Sequence, residues 1–271
     1  MTRMLTICLL LMGTFCMAQE VQVMTFNIRY DNPDDPVTWD ERKKEVSRAM
    51  FFHDIIGIQE GLQHQVDYLD EQLVFHDWVG VGRDDGERGG EHTAIFYNRM
   101  TFSLLHSETI WLSPWPKAAG SVGWDADLPR TATIAIFKHN ESGKTVRVIN
   151  THLDHEGVQS RICASHILRG YAALATEDHV VILGDFNADP DSKAYEMMNT
   201  EPFSDSYVSS ALRCREDFTT YSTFNPSVSI LLRIDHIFVN TRRVNWICAD
   251  EYIINEHYIS DHLPVFISLD L

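Results

Sequence analysis

The chain has 271 residues, 44% of them hydrophobic, and a formal net charge of −17. That length suffices for one domain with a full core. The acidic balance comes without the basic stripe by which proteins hold long nucleic acids, and this argues against a processive or tightly binding nuclease. No apolar run reaches the ~18 residues of a membrane-spanning helix.

The N-terminus stands apart. Arg3 precedes an apolar stretch from Met4 to Met17, and Cys16-Met17-Ala18 places small residues before a cut after Ala18. This pattern is expected of a signal peptide over residues 1–18, with export to the periplasm or the medium. Loss of Arg3 leaves the mature chain one unit more acidic, at −18. It keeps Cys163, Cys214 and Cys248, an odd set that leaves one bridge or three thiols open.

No linker or repeat divides residues 19–271, so one domain is expected. Alternation over Val21–Arg29 predicts a strand, and Trp39–Phe52 a helix with Val46, Ala49 and Met50 on one face. The ERKK run Glu41–Lys44 and the TRR run Thr241–Arg243 are read as solvated. Asp54–Gln59 reads as an apolar strand, followed by a helix near Leu62–Leu73. Further strands are expected at Trp78–Gly82, His92–Asn98, Phe102–Leu112 and Thr131–His139. A turn at Asn140–Gly143 then leads into Thr145–Leu153. Gly157–Ala175 is the longest helix, and Val180–Gly184, Thr219–Phe224, Ile234–Asn240, Trp246–Ile254 and Leu263–Leu271 complete the strands. Many strands with few helices predict an α/β fold in which two packed β-sheets are covered on their outer faces by helices.

Six of these strands end on a carboxylate, amide or imidazole: Asn27, Glu60, Asn150 with His152, Asp185 with Asn187, Asp235, and Asp261 with His262. Each motif alone could be an ordinary turn or helix cap. Six in one chain are harder to ascribe to turns, because strand ends place side chains accurately enough to converge. Oxygen-rich sites suit Mg²⁺, with Mn²⁺ as an alternative. Such a set can hydrolyse a phosphoester by cationic stabilisation and alignment of water.

The motifs TFNIR, GIQE, NTHLDH, GDFN, RIDH and SDHLPVF occur in this order from Thr25 to Phe266. In this the chain resembles the endonuclease/exonuclease/phosphatase superfamily, whose fold is the deoxyribonuclease I-like four-layer α/β sandwich. The resemblance implies Glu60, Asn27 and Asp261 on the metal side. It implies Asp185 at the attacking water, Asn187 at the phosphate, Asp235 orienting His262, and His152 as a second active-site histidine. It further implies substrate contacts from Arg130, Asn150 and Glu91, with Glu91 also in reach of His152. NTH argues against the apurinic repair branch, while NTHL, TYSTF and RIDHIFV are similar to the deadenylase-like branch. Lower weight falls on His92, Asp154, His155, Arg161, the Arg83–Gly86 loop, Trp111, Trp115 and Trp124. The expected activity is metal-dependent phosphoester hydrolysis by a monomer on a substrate of modest size, without membrane insertion. Nuclease, phospholipid hydrolase and small-phosphoester hydrolase compete as substrate classes, and a non-catalytic phosphate-binding protein is the alternative.

Overall fold

The computed structural model describes residues 20–215, 219–228, 232–241 and 244–271. The expected leader, residues 1–18, and Arg242 and Arg243 of the TRR run lie outside the described residues. In chain order the elements are β1 (Glu20–Asn27), α1 (Trp39–Met50), β2 (Ile55–Gln59), α2 (Gln63–Gln72), β3 (His76–Val79), β4 (Ile95–Asn98) and β5 (Phe102–Trp111). They continue with β6 (Thr131–His139), β7 (Thr145–His152), α3 (Val158–Ala173), β8 (His179–Asp185), α4 (Lys193–Met198), β9 (Ser204–Asp205) and α5 (Ser206–Ser209). The chain closes with β10 (Ser210–Arg213), β11 (Asp235–Val239), β12 (Val244–Ala249), β13 (Ile253–Ile254), β14 (His257–Tyr258) and β15 (Val265–Asp270).

Two mixed sheets form, ordered β10-β12-β15-β1-β2-β4-β3 and β5-β6-β7-β8-β11-β9. They face each other over a core that includes Val21, Val23, Ile55, Val148, Val181, Leu183, Ile237 and Ile267. Outside the first sheet, Met24, Phe26, Ile56 and Ile58 meet Val46 and Met50 of α1 and Val66 and Leu69 of α2. Outside the second, Ile149, Ile182 and Phe238 meet Leu168 of α3 and Met198 of α4. The expected four-layer α/β sandwich is therefore the observed fold.

The period of two along each strand places the polar motifs. The inward row of β1 runs Val21, Val23, Thr25 and ends at Asn27. That of β7 runs Val146, Val148, Asn150 and His152. Those of β8 and β11 join Val181 and Leu183 to Asp185, and Val239 and Ile237 to Asp235. The register aligns these ends: Asn27 lies beside Gln59, His152 beside Asp185, and Asp185 beside Asp235. Side chains that begin as inter-sheet core thus finish together at one edge. Two glycines permit the approach. A Cβ on Gly57 would lie 2.1 Å from Leu183 of the facing sheet, and one on Gly184, at φ +146°, would lie 2.0 Å from the Thr151 carbonyl oxygen.

The structure departs from expectation at Arg42 and at Thr219–Phe224. Arg42, in the run taken as solvated, is fully buried and donates to the carbonyls of Ile28, Arg29, Tyr30 and Ile259. Thr219–Phe224 forms only an isolated bridge at Tyr221, because Thr223 and Phe224 take φ of 53° and 64° and turn the chain out of an extended path. The interval before it holds α4, α5, β9 and β10, of two to six residues each, too short to show a period. The cysteines resolve as one bridge, Cys214–Cys248, with Cys163 free.

His53 is buried after α1, with its ring edge-on to Phe266 at 4.8 Å, and burial holds its pKa down to about 4. The folded state then resists a proton that the unfolded chain accepts below its ordinary value of 6.5. Stability from this group is complete above that value and is lost as pH falls toward 4, by about 3 kcal/mol. Denaturant unfolding of His53→Gln and wild type from pH 7 to pH 4 should show the variant gaining about that much relative to wild type. Parallel curves would refute the assignment.

Candidate active site

At the common edge, a cleft of about 570 Å³ is lined by Arg29, Tyr30, Glu60, Arg83, Glu91, Arg130, His152, Asp185, Asn187, Tyr221, Asp261 and His262, among others. Three cleft residues, Arg29, Glu60 and Asn187, are non-glycine residues with φ of 58°, 63° and 46°. Each such conformation costs on the order of 1–3 kcal/mol and persists only where its surroundings impose it. Their shared location puts local backbone strain at the edge that holds the polar motifs.

Asn27 organises the carboxylates. Its Nδ2 donates to Glu60 Oε1 at 2.9 Å and to Asp185 Oδ2 at 3.0 Å. Its Oδ1 accepts the Arg29 backbone N–H at 3.0 Å. A backbone N–H can only donate and an ionised carboxylate can only accept, so these partners fix the orientation of the amide. Asn27, expected as a metal ligand, therefore turns its N–H₂ group to the carboxylates and spends its oxygen on the turn. In this arrangement it acts as a donor that bridges the two carboxylates. Glu60 Oε2 accepts the Tyr30 N–H at 3.1 Å, and Asp185 Oδ1 accepts that of Asn187 at 2.9 Å. Asn187 itself donates to the Leu153 carbonyl at 2.9 Å while lining the cleft.

Two imidazoles flank Asp185. His152 Nε2 lies 3.5 Å and His262 Nε2 3.7 Å from Asp185 Oδ2. Their electrostatics differ. His262 Nδ1 meets Asp235 Oδ2 at 2.8 Å, as expected of an orienting pair. Burial works against its charge, but Asp235 and Asp185 outweigh that and lift its pKa well above the usual histidine value. His152 is pushed well below that value by burial and then by the Arg130 and Arg83 charges. One imidazole is thus held charged and the other neutral. Asp185 is raised to about 7 by burial and by repulsion from Asp235. Perturbations of this kind, gathered in one cleft, are the signature of acid–base chemistry.

The arginines are pinned by carboxylates. Arg130 Nε meets Asp154 at 3.2 Å and its Nη2 meets His155 Nδ1 at 2.9 Å. Asp154 also caps the turn by accepting the N–H groups of Glu156 and Gly157. Arg83 pairs with Glu91 at 2.8 Å. Glu91 Oε2 stays 3.8 Å from His152 Nδ1, so the expected hydrogen bond to His152 gives way to an ion pair with Arg83. Burial, and then the Glu60 charge, raise the Glu91 pKa to about 7. Arg161 donates to the Asp154 carbonyl. His92 is fully buried, with its Nδ1 against the Gly61 carbonyl. Trp111 donates its indole N–H to the Arg83 carbonyl, while Trp115 and Trp124 are exposed and outside the cleft lining.

Asn150, expected to touch substrate, is fully buried behind the cleft. Its Nδ2 donates to the carbonyls of Ile58 and Ala94 at 2.8 and 2.9 Å, and its Oδ1 accepts from Gln59 at 2.7 Å. It ties one sheet to the other and is closed off from a ligand by its burial. Asn150→Ala orphans these buried groups, at a cost of about 3 kcal/mol. The melting temperature should fall roughly 6–12 °C in a domain of this size. Turnover per folded molecule should survive, and a selective loss of turnover without loss of stability would restore the substrate role.

Arg29, Tyr30 and Tyr221 are among the cleft residues that the sequence did not single out. Arg29 was legible only as the second residue after Asn27 in TFNIR. Its Nε and Nη2 hold Asp35 at 3.0 and 3.1 Å, and its Nη1 lies 3.8 Å from Glu60 and 3.7 Å from Asp261.

The donor set fits a hard divalent cation. Ligand atoms of Glu60, His152 and Asp185 lie within 4.8 Å of one another. Carboxylate oxygens dominate, and among the described residues neither Glu60 nor Asp185 has a cationic partner at hydrogen-bond distance.

Comparison with known proteins agrees with this geometry. The chain matches the Endonuclease/Exonuclease/phosphatase family over residues 24–262, and belongs to that family. It is 34% identical to an endonuclease/exonuclease/phosphatase from Bacteroides vulgatus, over 93% of this chain and 99% of that one, with a TM-score of 0.86. It is 31% identical to a mannosyl-6-phosphatase from Bacteroides thetaiotaomicron, over 91% and 98%, also at 0.86. Uncharacterized protein L388 of Acanthamoeba polyphaga mimivirus is 28% identical over 218 residues, 73% of this chain and 77% of that protein. Members of the family hydrolyse phosphoester bonds.

Proposed function

We propose that this chain is an exported, divalent-metal-dependent phosphoesterase acting on small phosphoesters, with sugar phosphomonoesters as the leading class. The observation that carries the reading is the trio of Asp185 between a charged His262 and a neutral His152, facing a cleft that arginines border. Water must attack phosphorus while the bond to the leaving alcohol breaks. Asp185 is placed to orient that water and take its proton. His262, held by Asp235, offers Nε2–H to a phosphoryl oxygen, where charge accumulates. Neutral His152 stands where it can exchange a proton with Asp185 or with the leaving group. Arg83 and Arg130 add fixed positive charge at the rim. Glu60 would hold the cation, with Asp185 and His152 near enough to orient its waters. When bound, Mg²⁺ or Mn²⁺ supplies Lewis-acid stabilisation of the phosphoryl oxygen.

The formal charge of −17 favours a small substrate over a long polyanion. The phosphatase activity named for the Bacteroides thetaiotaomicron relative favours a monoester of a sugar. The Met4–Met17 stretch and the Cys214–Cys248 bridge both suit export to an oxidising compartment. The test compares mannose 6-phosphate, p-nitrophenyl phosphate, bis-p-nitrophenyl phosphate and plasmid DNA, each with Mg²⁺, with Mn²⁺ and with EDTA. Metal-dependent release of phosphate from the monoesters, with little cleavage of DNA at physiological salt, is the expected pattern. Equal turnover in EDTA would overturn metal dependence, and efficient DNA cleavage would overturn the substrate class.

A further inference from the structure

The structure places a fixed cation inside the cleft. Arg29 Nη1 stands between two carboxylates, 3.8 Å from Glu60 and 3.7 Å from Asp261. This position is built. Asp35 grips the same guanidinium by two contacts, at 3.0 and 3.1 Å, and the Tyr30 ring lies against it at 4.5 Å. Buried Arg42 gathers the carbonyls of residues 28, 29 and 30, which fixes the turn that carries Arg29. Arg29 and Glu60 both sit on left-handed backbone, at φ of 58° and 63°. A surface arginine would shed such constraints, since exposed ion pairs return little for the side-chain freedom they cost.

We infer that Arg29 is the permanent second cation of this site: its guanidinium fills the space between Glu60 and Asp261, and the other group of possible ligands, Asp185, Asp235 and His262, is closed by the His262–Asp235 hydrogen bond at 2.8 Å, so the cleft takes one divalent ion rather than two. The inference rests on the metal-dependent reading above and deepens it. Glu60, Asp185 and His152 would then hold that one ion. Asp261, expected from the motif order as a metal-side carboxylate, becomes the second anchor of Arg29.

Manganese binding to the full chain, by equilibrium dialysis and calorimetry, tests this without reference to turnover. Wild type should bind one Mn²⁺. Arg29→Ala should bind two, with the first tightened about tenfold by loss of a neighbouring positive charge. Arg29→Lys should still bind one. Asp261→Asn should bind one with less than about fivefold loss of affinity, whereas loss of a true ligand costs far more. Near-UV circular dichroism checks folding, and Arg29→Gln replaces the alanine variant should that one unfold. Two ions in wild type, one ion in a folded Arg29→Ala or Arg29→Gln, or a loss of tenfold or more in Asp261→Asn would each overturn the inference. If those results come with metal-dependent turnover intact, the inference falls alone. If wild type binds no Mn²⁺ and turns over equally in EDTA, the metal-dependent reading falls with it.

Discussion

His262→Ala should lower kcat by about a thousandfold while leaving the fold intact, because it removes an imidazole held charged in the cleft. His262 adds a proton donor where a phosphoryl oxygen gathers charge, and it balances Asp185 and Asp235 in the ground state. The alanine variant also leaves Asp235, already with one buried oxygen that has no partner, without its contact at 2.8 Å. Asp235→Asn is the sharper probe, because it keeps the shape and removes the charge that holds His262 protonated. The sign follows from the direction of the shift. A raised pKa keeps His262 charged through neutral pH, and activity that needs this proton fails on the alkaline side. Without Asp235 that alkaline limb should move to lower pH, and kcat should fall about a hundredfold. Superimposable pH profiles for wild type and Asp235→Asn would remove His262 from the role of proton donor.

The strand-end motifs were legible because two constraints coincide in them. An inward row that is apolar for most of its length and polar at its tip, repeated at six strand ends, points to core strands reaching a cleft, as with Val181, Leu183 and Asp185. Asn150 misleads for the same reason. It lies on the same inward row as His152, but one step deeper, where Ile58 and Ala94 of the facing sheet present carbonyls to it. Period alone cannot say how far along a row the cleft begins. Arg42 and Arg29 were illegible as site builders because their partners are backbone carbonyls and distant carboxylates that only the fold assembles. In a run such as ERKK, a buried guanidinium and three solvated neighbours look alike. The orientation of the Asn27 amide was equally hidden, since the sequence shows that an amide is present but not which of its ends faces the carboxylates.

Glu60→Gln should abolish metal-stimulated turnover, with a loss in kcat/KM on the order of a thousandfold or more, because it removes the anionic oxygen best placed to hold the cation. The substitution is nearly isosteric, so its effect is chemical. Glu60 accepts from Asn27 Nδ2 with one oxygen and from the Tyr30 N–H with the other. Glutamine has one acceptor, so one of these donors is left facing an N–H₂ group, at a cost of about 1–3 kcal/mol. Part of that is returned, since Glu60 repels both Glu91 and Asp261 and its neutralisation relaxes them. The metal-free variant should therefore melt within a few degrees of wild type. A ligand that binds only the folded state raises stability by RT ln(1 + [L]/Kd), about 2.7 kcal/mol at a hundredfold excess over Kd. Saturating Mg²⁺ or Mn²⁺ should accordingly raise the melting temperature of wild type and leave that of Glu60→Gln unchanged. A variant that keeps the metal-induced shift but loses turnover would move the cation off Glu60. One that keeps both would show that the cation, wherever it binds, does not depend on this carboxylate.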